Sequence, residues 1–144
     1  MALRVEISRY VEDFFHVNYD PKTEILVTVG VSEALDIAIR SVVNPGDEVV
    51  LPAPYWVSYS EMVSLFEGTV VEARTGIETD FKITPALLEK YITPKTRVFL
   101  FSSPCNPTGT TYTEKELRAL GEVFKKHPDV VIISDEIYEH INFE

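Results

Sequence analysis

Short apolar runs that alternate with helical stretches are the feature that most limits how this 144-residue chain can fold. The runs are rich in valine and isoleucine and have no polar face, which is typical of strands buried on both sides in a parallel sheet. Helices between such strands form βαβ units. We therefore expect a single domain over residues 1–144, of three-layer α/β/α architecture with a mainly parallel sheet. The predicted strands lie at 25–29, 48–51, 69–74, 96–102 and 130–134.

Helix-start signals support this alternation. Thr113 and Glu116 form a capping box, in which each side chain satisfies the other residue's backbone amide, and they predict a helix over 113–126. Thr84 followed by Pro85 resembles an N-cap with proline at the first helical position. Apolar residues at helical spacing predict further helices near 7–17, 32–42 and, from a weaker pattern, 55–66.

Charge and cysteine content exclude several classes of protein. Lys plus Arg number 13 against 23 Asp plus Glu, and the net charge of −10 disfavours a nucleic-acid partner. The single cysteine, Cys105, cannot form an internal disulfide, and the first residues lack a secretory signal, so we expect a cytoplasmic protein. No apolar run approaches the roughly 20 residues needed to cross a bilayer, so no membrane association is expected.

Motifs for three common chemistries are missing from the sequence. The three histidines and Cys105 are too scattered to give metal-ligand spacing, so no metal site is expected. The segment 30–34 lacks the second glycine of a G-x-S-x-G nucleophile elbow. A G-x-G-x-x-G dinucleotide-binding motif is also lacking.

Unusual residues follow the predicted strands and do not precede them. Ligands of open parallel sheets bind beyond the carboxyl ends of the strands, so these loops are the candidate site. Gly30 permits a tight turn, and Ser32 adds a hydroxyl beside the free amides of a helix N-terminus, where an anion such as phosphate is stabilised. An ordinary serine N-cap is the alternative for Ser32.

Two residues in the next loops could contact a flat ligand. Trp56, the only tryptophan, lies in a proline-rich loop where its indole could stack on a ring, or could belong to the core. Asn106 lies between Cys105 and Pro107, where its amide could donate to a ligand oxygen or form an ordinary Asn-Pro turn.

A carboxylate follows the most apolar strand. Asp135 is either a helix cap or a buried charge that requires a cationic partner. At about 4 Å and an effective dielectric near 20, it would stabilise a cation by roughly 4 kcal/mol, enough to keep a heterocyclic nitrogen protonated. Tyr138 could present its phenol to the same ligand or be structural.

Five motifs in a fixed order resemble the class I/II aminotransferases of fold type I, which use pyridoxal 5′-phosphate, and the aspartate aminotransferase-like subgroup in particular. They are TVGVSEAL at 28–35, PGDEV at 45–49, PYWVSY at 54–59, NPTG at 106–109 and SDEIY at 134–138. The resemblance implies the central part of the large cofactor-binding domain, without the small domain. It also implies transfer of an amino group between an amino acid, with aspartate as one candidate, and a 2-oxo acid.

The resemblance also implies a role for each strand-end residue. Gly30, Val31 and Ser32 would hold the cofactor phosphate, and Trp56 would stack on the pyridine ring.

Asp135 would pair with the ring nitrogen and, with Tyr138, take part in catalysis. Asn106 and Tyr138 would hydrogen-bond the phenolic oxygen of the cofactor, and Asn106 and Trp56 would also contact substrate.

The Schiff-base lysine of this family is expected downstream of the SDEIY motif and is absent from this chain. A chain of this kind is expected to be inactive alone, and its full-length parent is expected to be a homodimer. Three alternatives stay open from the residues: a same-fold β-lyase, a cyclopropane-carboxylate synthase, or a non-catalytic regulatory domain.

Overall fold

The computed structural model describes residues 1–141 and divides the chain into two compact units, Met1–Leu35 and Asp36–Glu144. The first unit contains helix α1 (Ala2–Phe15) and the beginning of helix α2 (Gly30–Val42). Helix α1 ends at His16, which adopts a left-handed conformation and donates its amide to the Glu12 carbonyl.

The strand predicted at 25–29 is wrong. Residues 25–28 form no regular secondary structure, and the backbone groups at both ends of this segment bond to side chains instead of another strand. The Arg4 guanidinium donates to the Ile25 carbonyl at 3.2 Å, and the Val29 amide donates to the Glu33 carboxylate. An apolar run becomes a strand only where a neighbouring strand accepts its hydrogen bonds.

The second unit is built on a four-stranded parallel sheet of order β2-β1-β3-β4. The predicted parallel α/β architecture is confirmed, and the four remaining strand predictions agree with the structure to within two residues at either end. The strands are β1 (Glu48–Ala53), β2 (Thr69–Arg74), β3 (Thr96–Ser102) and β4 (Val131–Asp135).

Three helices connect these strands, and both helix-start signals are confirmed. They are α3 (Ser58–Leu65), α4 (Pro85–Tyr91) and α5 (Glu114–Phe124). The Thr84 hydroxyl accepts a hydrogen bond from the Leu87 amide, and Thr113 and Glu116 form the reciprocal capping box. A short 3-10 helix (Ile77–Thr79) lies between β2 and α4. No helix within residues 1–141 is long and apolar enough to cross a membrane.

The core lies on both faces of the two central strands. Val50 and Phe99 pack with Leu88, Leu120 and Phe124 on one face. Residues one position along each strand point to the opposite face. These residues are also buried: Val49, Leu51, Val98 and Leu100.

The edge strands differ from the prediction that every strand is buried on both faces. Only Ala73 of β2 and Asp135 of β4 are fully buried, and Ile132 is 48% exposed. Each edge strand has one strand neighbour within the described sheet, so its side chains have fewer packing partners than those of β1 and β3.

Candidate functional site

The polar strand ends of the second unit meet at the carboxyl edge of the sheet. Ser102 and Asp135 are register partners, and they are the last residues of β3 and β4. Parallel pairing therefore brings the loop after β3 and the turn after β4 side by side. Asn106 lies in that loop and Tyr138 lies in that turn. The structure therefore brings three of the predicted residues together: Asn106, Asp135 and Tyr138.

Asp135 is a buried carboxylate with two hydrogen-bond donors. Asp135 is 5% exposed. The Tyr59 hydroxyl donates to Oδ2 at 2.6 Å, and the Ile137 amide donates to Oδ1 at 3.2 Å. Asp135 is therefore buried, as one of the two sequence interpretations requires, and the Ile137 contact caps a turn and not a helix.

The two donors leave Asp135 with acceptor capacity and without a cation. No lysine, arginine or histidine within residues 1–141 forms an ion pair with it. Each carboxylate oxygen has two lone pairs, and each accepts one hydrogen bond here. Because a buried carboxylate gains much from a cationic partner, the site fits a ligand that carries a protonated nitrogen.

Tyr59 is the residue that sequence reasoning missed. It is 1% exposed and lies in α3, 76 residues from Asp135 in the sequence. Burial raises the pKa of the Tyr59 hydroxyl well above its usual value, and the hydrogen bond to Asp135 raises this pKa further. Tyr59 therefore remains a proton donor to the carboxylate. The one signal in the sequence was its place as the last residue of the PYWVSY motif.

The loop that carries Asn106 is closed by its own backbone. The Gly109 amide donates to the Cys105 carbonyl at 2.7 Å, and the Cys105 amide donates to the Thr110 carbonyl at 2.9 Å. Gly109 has φ of 72°, a conformation that a side chain would strain. This closed loop holds the Asn106 amide, which donates to the Tyr138 hydroxyl at 3.1 Å.

Trp56 is half-buried in the loop between β1 and α3. Its indole meets the Tyr59 ring edge-on, with centroids 5.6 Å apart and an interplanar angle of 87°. Tyr59 thus contacts Trp56 through its ring and Asp135 through its hydroxyl. This arrangement connects the loop after β1 to the end of β4.

The predicted phosphate-binding residues lie in the first unit. Gly30, Val31 and Ser32 are the first three residues of α2, so their amides have no partner within the helix. Gly30 has φ of 80°, as the predicted tight turn requires. Ser32 is exposed and lies inside the first helical turn, so the N-cap interpretation of Ser32 is wrong.

No group of three or more His, Cys, Asp or Glu side chains within the described part of the chain is arranged to hold a metal ion. Cys105 is a free thiol, with its Sγ 3.6 Å from the Pro54 carbonyl oxygen.

Polar side chains gathered beyond the carboxyl ends of a parallel sheet are the arrangement by which α/β proteins bind small ligands. The chain belongs to the aminotransferase class I and II family, whose sequence profile matches residues 1–144. The predicted resemblance is therefore confirmed.

Individual relatives agree with the family assignment. An aspartate/prephenate aminotransferase of Cereibacter sphaeroides is 51% identical over 128 residues, which are 89% of this chain and 32% of that protein. The crystal structure of an aspartate aminotransferase from Rhizobium meliloti superposes with a TM-score of 0.95 at 37% identity, over 99% of this chain and 35% of that one. An aromatic aminotransferase from Pyrococcus horikoshii gives 0.93 at 38% identity, over 99% and 38% of the two chains. The chain thus spans about a third of the length of these relatives.

Proposed function

We propose that this chain is the central part of the large domain of a pyridoxal 5′-phosphate-dependent aminotransferase, which transfers an amino group between an amino acid and a 2-oxo acid. The observation that carries the proposal is Asp135, a buried carboxylate at the carboxyl edge of the sheet that pairs with no cation within residues 1–141. A protonated pyridine nitrogen supplies the missing charge. The family assignment supports the same cofactor, because class I and II aminotransferases generally depend on it.

The side chains of the second unit fit the pyridine ring of this cofactor. Asp135 has the acceptor capacity to take a hydrogen bond from the ring nitrogen and to hold the proton there. The Asn106 amide and the Tyr138 hydroxyl form one hydrogen-bonded pair, which can donate to the phenolic oxygen. Trp56 supplies an aromatic face for stacking.

The phosphate contacts are proposed separately, from the family resemblance and the local conformation of α2. The Val31 amide and the Ser32 hydroxyl lie in the first turn after Gly30, where a helix stabilises an anion.

When bound, pyridoxal 5′-phosphate supplies an electron-withdrawing ring that allows the α-proton of an amino acid to leave. Asp135 contributes by keeping a proton on the ring nitrogen, which makes the ring a stronger electron acceptor. Tyr138 and Asn106 contribute by holding the phenolic oxygen, and Asn106 and Trp56 are further proposed to contact the substrate. The roles of Asp135 and Tyr138 are accordingly catalytic.

Aspartate is the amino donor that we propose, because the 51% identical relative is an aspartate/prephenate aminotransferase. The aromatic aminotransferase superposes almost equally well, so the backbone of this part of the protein is compatible with several substrates. From the free Cys105 and the family resemblance we also propose a cytoplasmic location and a homodimeric full-length protein.

Titration of the chain with pyridoxal 5′-phosphate tests the cofactor site, with the emission of Trp56, the only tryptophan, as the signal. We expect weak, saturable quenching, and weaker binding in Asp135→Asn. Borohydride should trap no specific adduct at a single lysine. Unchanged emission at millimolar cofactor in a folded sample would contradict the proposal.

The reaction is tested in the full-length protein that carries this chain. Transfer of the aspartate amino group to a 2-oxo acid is the expected result. Release of ammonia with a 2-oxo acid from a single amino acid would favour a β-lyase. Formation of a cyclopropane carboxylate would favour the synthase, and no turnover with bound cofactor would favour a regulatory domain.

A further inference from the structure

Tyr59 touches two of the residues to which the proposed function assigns the cofactor ring. Its hydroxyl donates to Asp135 Oδ2 at 2.6 Å, and its ring packs edge-on against Trp56 at 5.6 Å between centroids. All but 1% of its surface is buried, so solvent does not compete for the hydroxyl. One rigid side chain therefore lies between a residue of β4 and a residue of the loop after β1.

The surroundings leave the Tyr59 hydroxyl little freedom. The Tyr55 ring stacks on the Tyr59 ring, with centroids 6.4 Å apart. The short hydrogen bond to a carboxylate is of the charge-assisted kind, which is stronger than a neutral one. Side-chain networks of this kind fix the orientation of the groups they connect.

We propose that Tyr59 is a positioning residue that sets the orientation of the Asp135 carboxylate toward the cofactor ring nitrogen while its ring supports Trp56. The proposal rests on the proposed function. It assigns no contact between Tyr59 and substrate, and no proton transfer by its hydroxyl. With Tyr59 and Ile137 each occupying one lone pair, the remaining lone pairs of Asp135 keep a fixed direction.

Replacement by phenylalanine separates the two contacts. Tyr59→Phe removes the hydrogen bond to Asp135 and keeps the ring against Trp56. Tyr55→Phe is the matched control, because Tyr55 is a neighbour in the same segment whose hydroxyl donates to Glu72 at 2.9 Å and not to Asp135.

The test compares two ligands by equilibrium dialysis, using cofactor-free protein that carries this chain. One ligand is pyridoxal 5′-phosphate, and the other is its deaza analogue, in which carbon replaces the ring nitrogen. We expect Tyr59→Phe to bind pyridoxal 5′-phosphate about tenfold more weakly, which corresponds to about 1.4 kcal/mol. For the analogue, the affinity of Tyr59→Phe should lie within about twofold of the affinity of the unsubstituted protein, because the analogue has no ring N–H to donate to Asp135. Tyr55→Phe should leave both affinities unchanged.

Combination with Asp135→Asn shows whether Tyr59 acts through Asp135. In the Asp135→Asn background, Tyr59→Phe should change the affinity for pyridoxal 5′-phosphate by less than about twofold, because the group it orients has lost its charge. This double variant contains no buried carboxylate that lacks its donor, so it remains informative even if Tyr59→Phe alone folds poorly.

The outcomes separate this inference from the proposed function. Equal weakening of both ligands in Tyr59→Phe, or weakening of neither, overturns the positioning role while the cofactor site stands. An undiminished effect of Tyr59→Phe in the Asp135→Asn background overturns it as well. If the unsubstituted protein does not bind pyridoxal 5′-phosphate, the proposed function and the positioning role both fail.

Discussion

The side-chain amide of Asn106 donates a 3.1 Å hydrogen bond to the hydroxyl oxygen of Tyr138, and this bond joins the loop after β3 to the turn after β4. Both residues are half-buried. The amide has a second N–H, and the tyrosine keeps its own O–H, so the pair retains two donors for a ligand. A hydrogen bond between these loops thus orients groups that remain available for binding.

Asn106→Ala should weaken binding of pyridoxal 5′-phosphate more than it weakens the fold. Loss of one half-buried hydrogen bond costs about 1 kcal/mol of unfolding free energy. Loss of a donor to an ionised phenolic oxygen should reduce cofactor affinity by about five- to tenfold, since charge-assisted hydrogen bonds are the stronger kind. Urea unfolding and equilibrium dialysis measure the two effects.

Asn44→Ala is the control for this variant. The Asn44 amide also donates to another side chain, Asp47 at 3.3 Å, but it does so in the loop that enters β1. The affinity of Asn44→Ala for the cofactor should equal that of the unsubstituted chain. A similar loss of affinity in Asn44→Ala and Asn106→Ala would mean that the Asn106 contact has no specific part in binding.

Glu116 should stabilise the fold at neutral pH and lose this effect in acid. Lys82 forms a 2.7 Å ion pair with its carboxylate, and the Thr113 amide donates to it at 2.7 Å. The hydrogen bond from Lys82, followed by that from Thr113, lowers the pKa of Glu116 from 4.5 to about 2. Because the folded-state pKa is the lower one, the stabilisation is complete above pH 4.5 and declines as the pH falls toward 2.

Glu116→Gln should therefore reduce the unfolding free energy by about 1 kcal/mol at pH 7, a modest value because the Glu116 side chain is 40% exposed. Urea unfolding at pH 7 and near pH 2 measures the difference in unfolding free energy between the unsubstituted chain and Glu116→Gln. This difference should be smaller at the lower pH. Glu114→Gln, in the same helical turn, removes an exposed pair with Arg118 and should change stability by less than about 0.5 kcal/mol. An equal loss at both pH values would contradict the role assigned to the Glu116 charge.

Local signals in the sequence were sufficient for most of the sheet and for the helix starts. The capping box of Thr113 and the Thr84-Pro85 pair depend on residues three or fewer positions apart, so they can be recognised without the fold. Asp135 and Asn106 could be recognised as candidate site residues because each follows a predicted strand. In a parallel sheet, that position alone determines the edge at which a residue lies.

Long-range pairing explains what the sequence did not reveal. The strand predicted at 25–29 has the right composition, but Arg4 and Glu33 bond to the backbone at its two ends, and no strand within residues 1–141 pairs with it. The Tyr59 contact with Asp135 joins residues 76 positions apart. No periodicity within α3 indicates that its one tyrosine, Tyr59, meets a carboxylate.

Tyr112 should be needed to satisfy a buried backbone amide. The Ile83 amide donates to the Tyr112 hydroxyl oxygen at 2.9 Å, and Ile83 is buried in the core cluster. Tyr112→Phe leaves this amide without its acceptor, so the unfolding free energy should fall by about 1–3 kcal/mol. Urea unfolding at pH 7 checks this, and a change below about 0.5 kcal/mol would contradict it.

The stability effect of Tyr112→Phe should also depend on pH in the alkaline range. Burial is the main reason that the pKa of Tyr112 rises from 10.0 to about 12. Between these values the unfolded chain releases the proton more readily than the folded chain, so the folded state loses stability as the pH rises through this window. The difference between the unsubstituted chain and Tyr112→Phe should therefore narrow from pH 10 to pH 12. A constant difference would mean that the Tyr112 hydroxyl does not titrate as its burial requires.

Asp135→Asn should slow the chemistry of the full-length protein far more than it reduces cofactor occupancy. Asparagine keeps the size of the side chain, and Tyr59 can still bond to it because a hydroxyl both donates and accepts. The change therefore removes charge with little loss of packing. Phosphate and stacking contacts do not depend on this charge, so the loss of cofactor affinity should be far smaller than the loss of rate.

The rate of α-proton removal is the quantity that depends on the Asp135 charge. A carboxylate about 4 Å from a ring nitrogen stabilises the protonated form by roughly 4 kcal/mol at an effective dielectric near 20. Complete loss of this stabilisation from the transition state would slow proton removal by about a thousandfold. Asp135→Glu should fail for a different reason, because it keeps the charge but moves it away from the position that Tyr59 and Ile137 define. Single-turnover exchange of the substrate α-proton at saturating cofactor measures this step, and a rate in Asp135→Asn within a few-fold of the unsubstituted protein would mean that Asp135 serves only to cap the turn after β4.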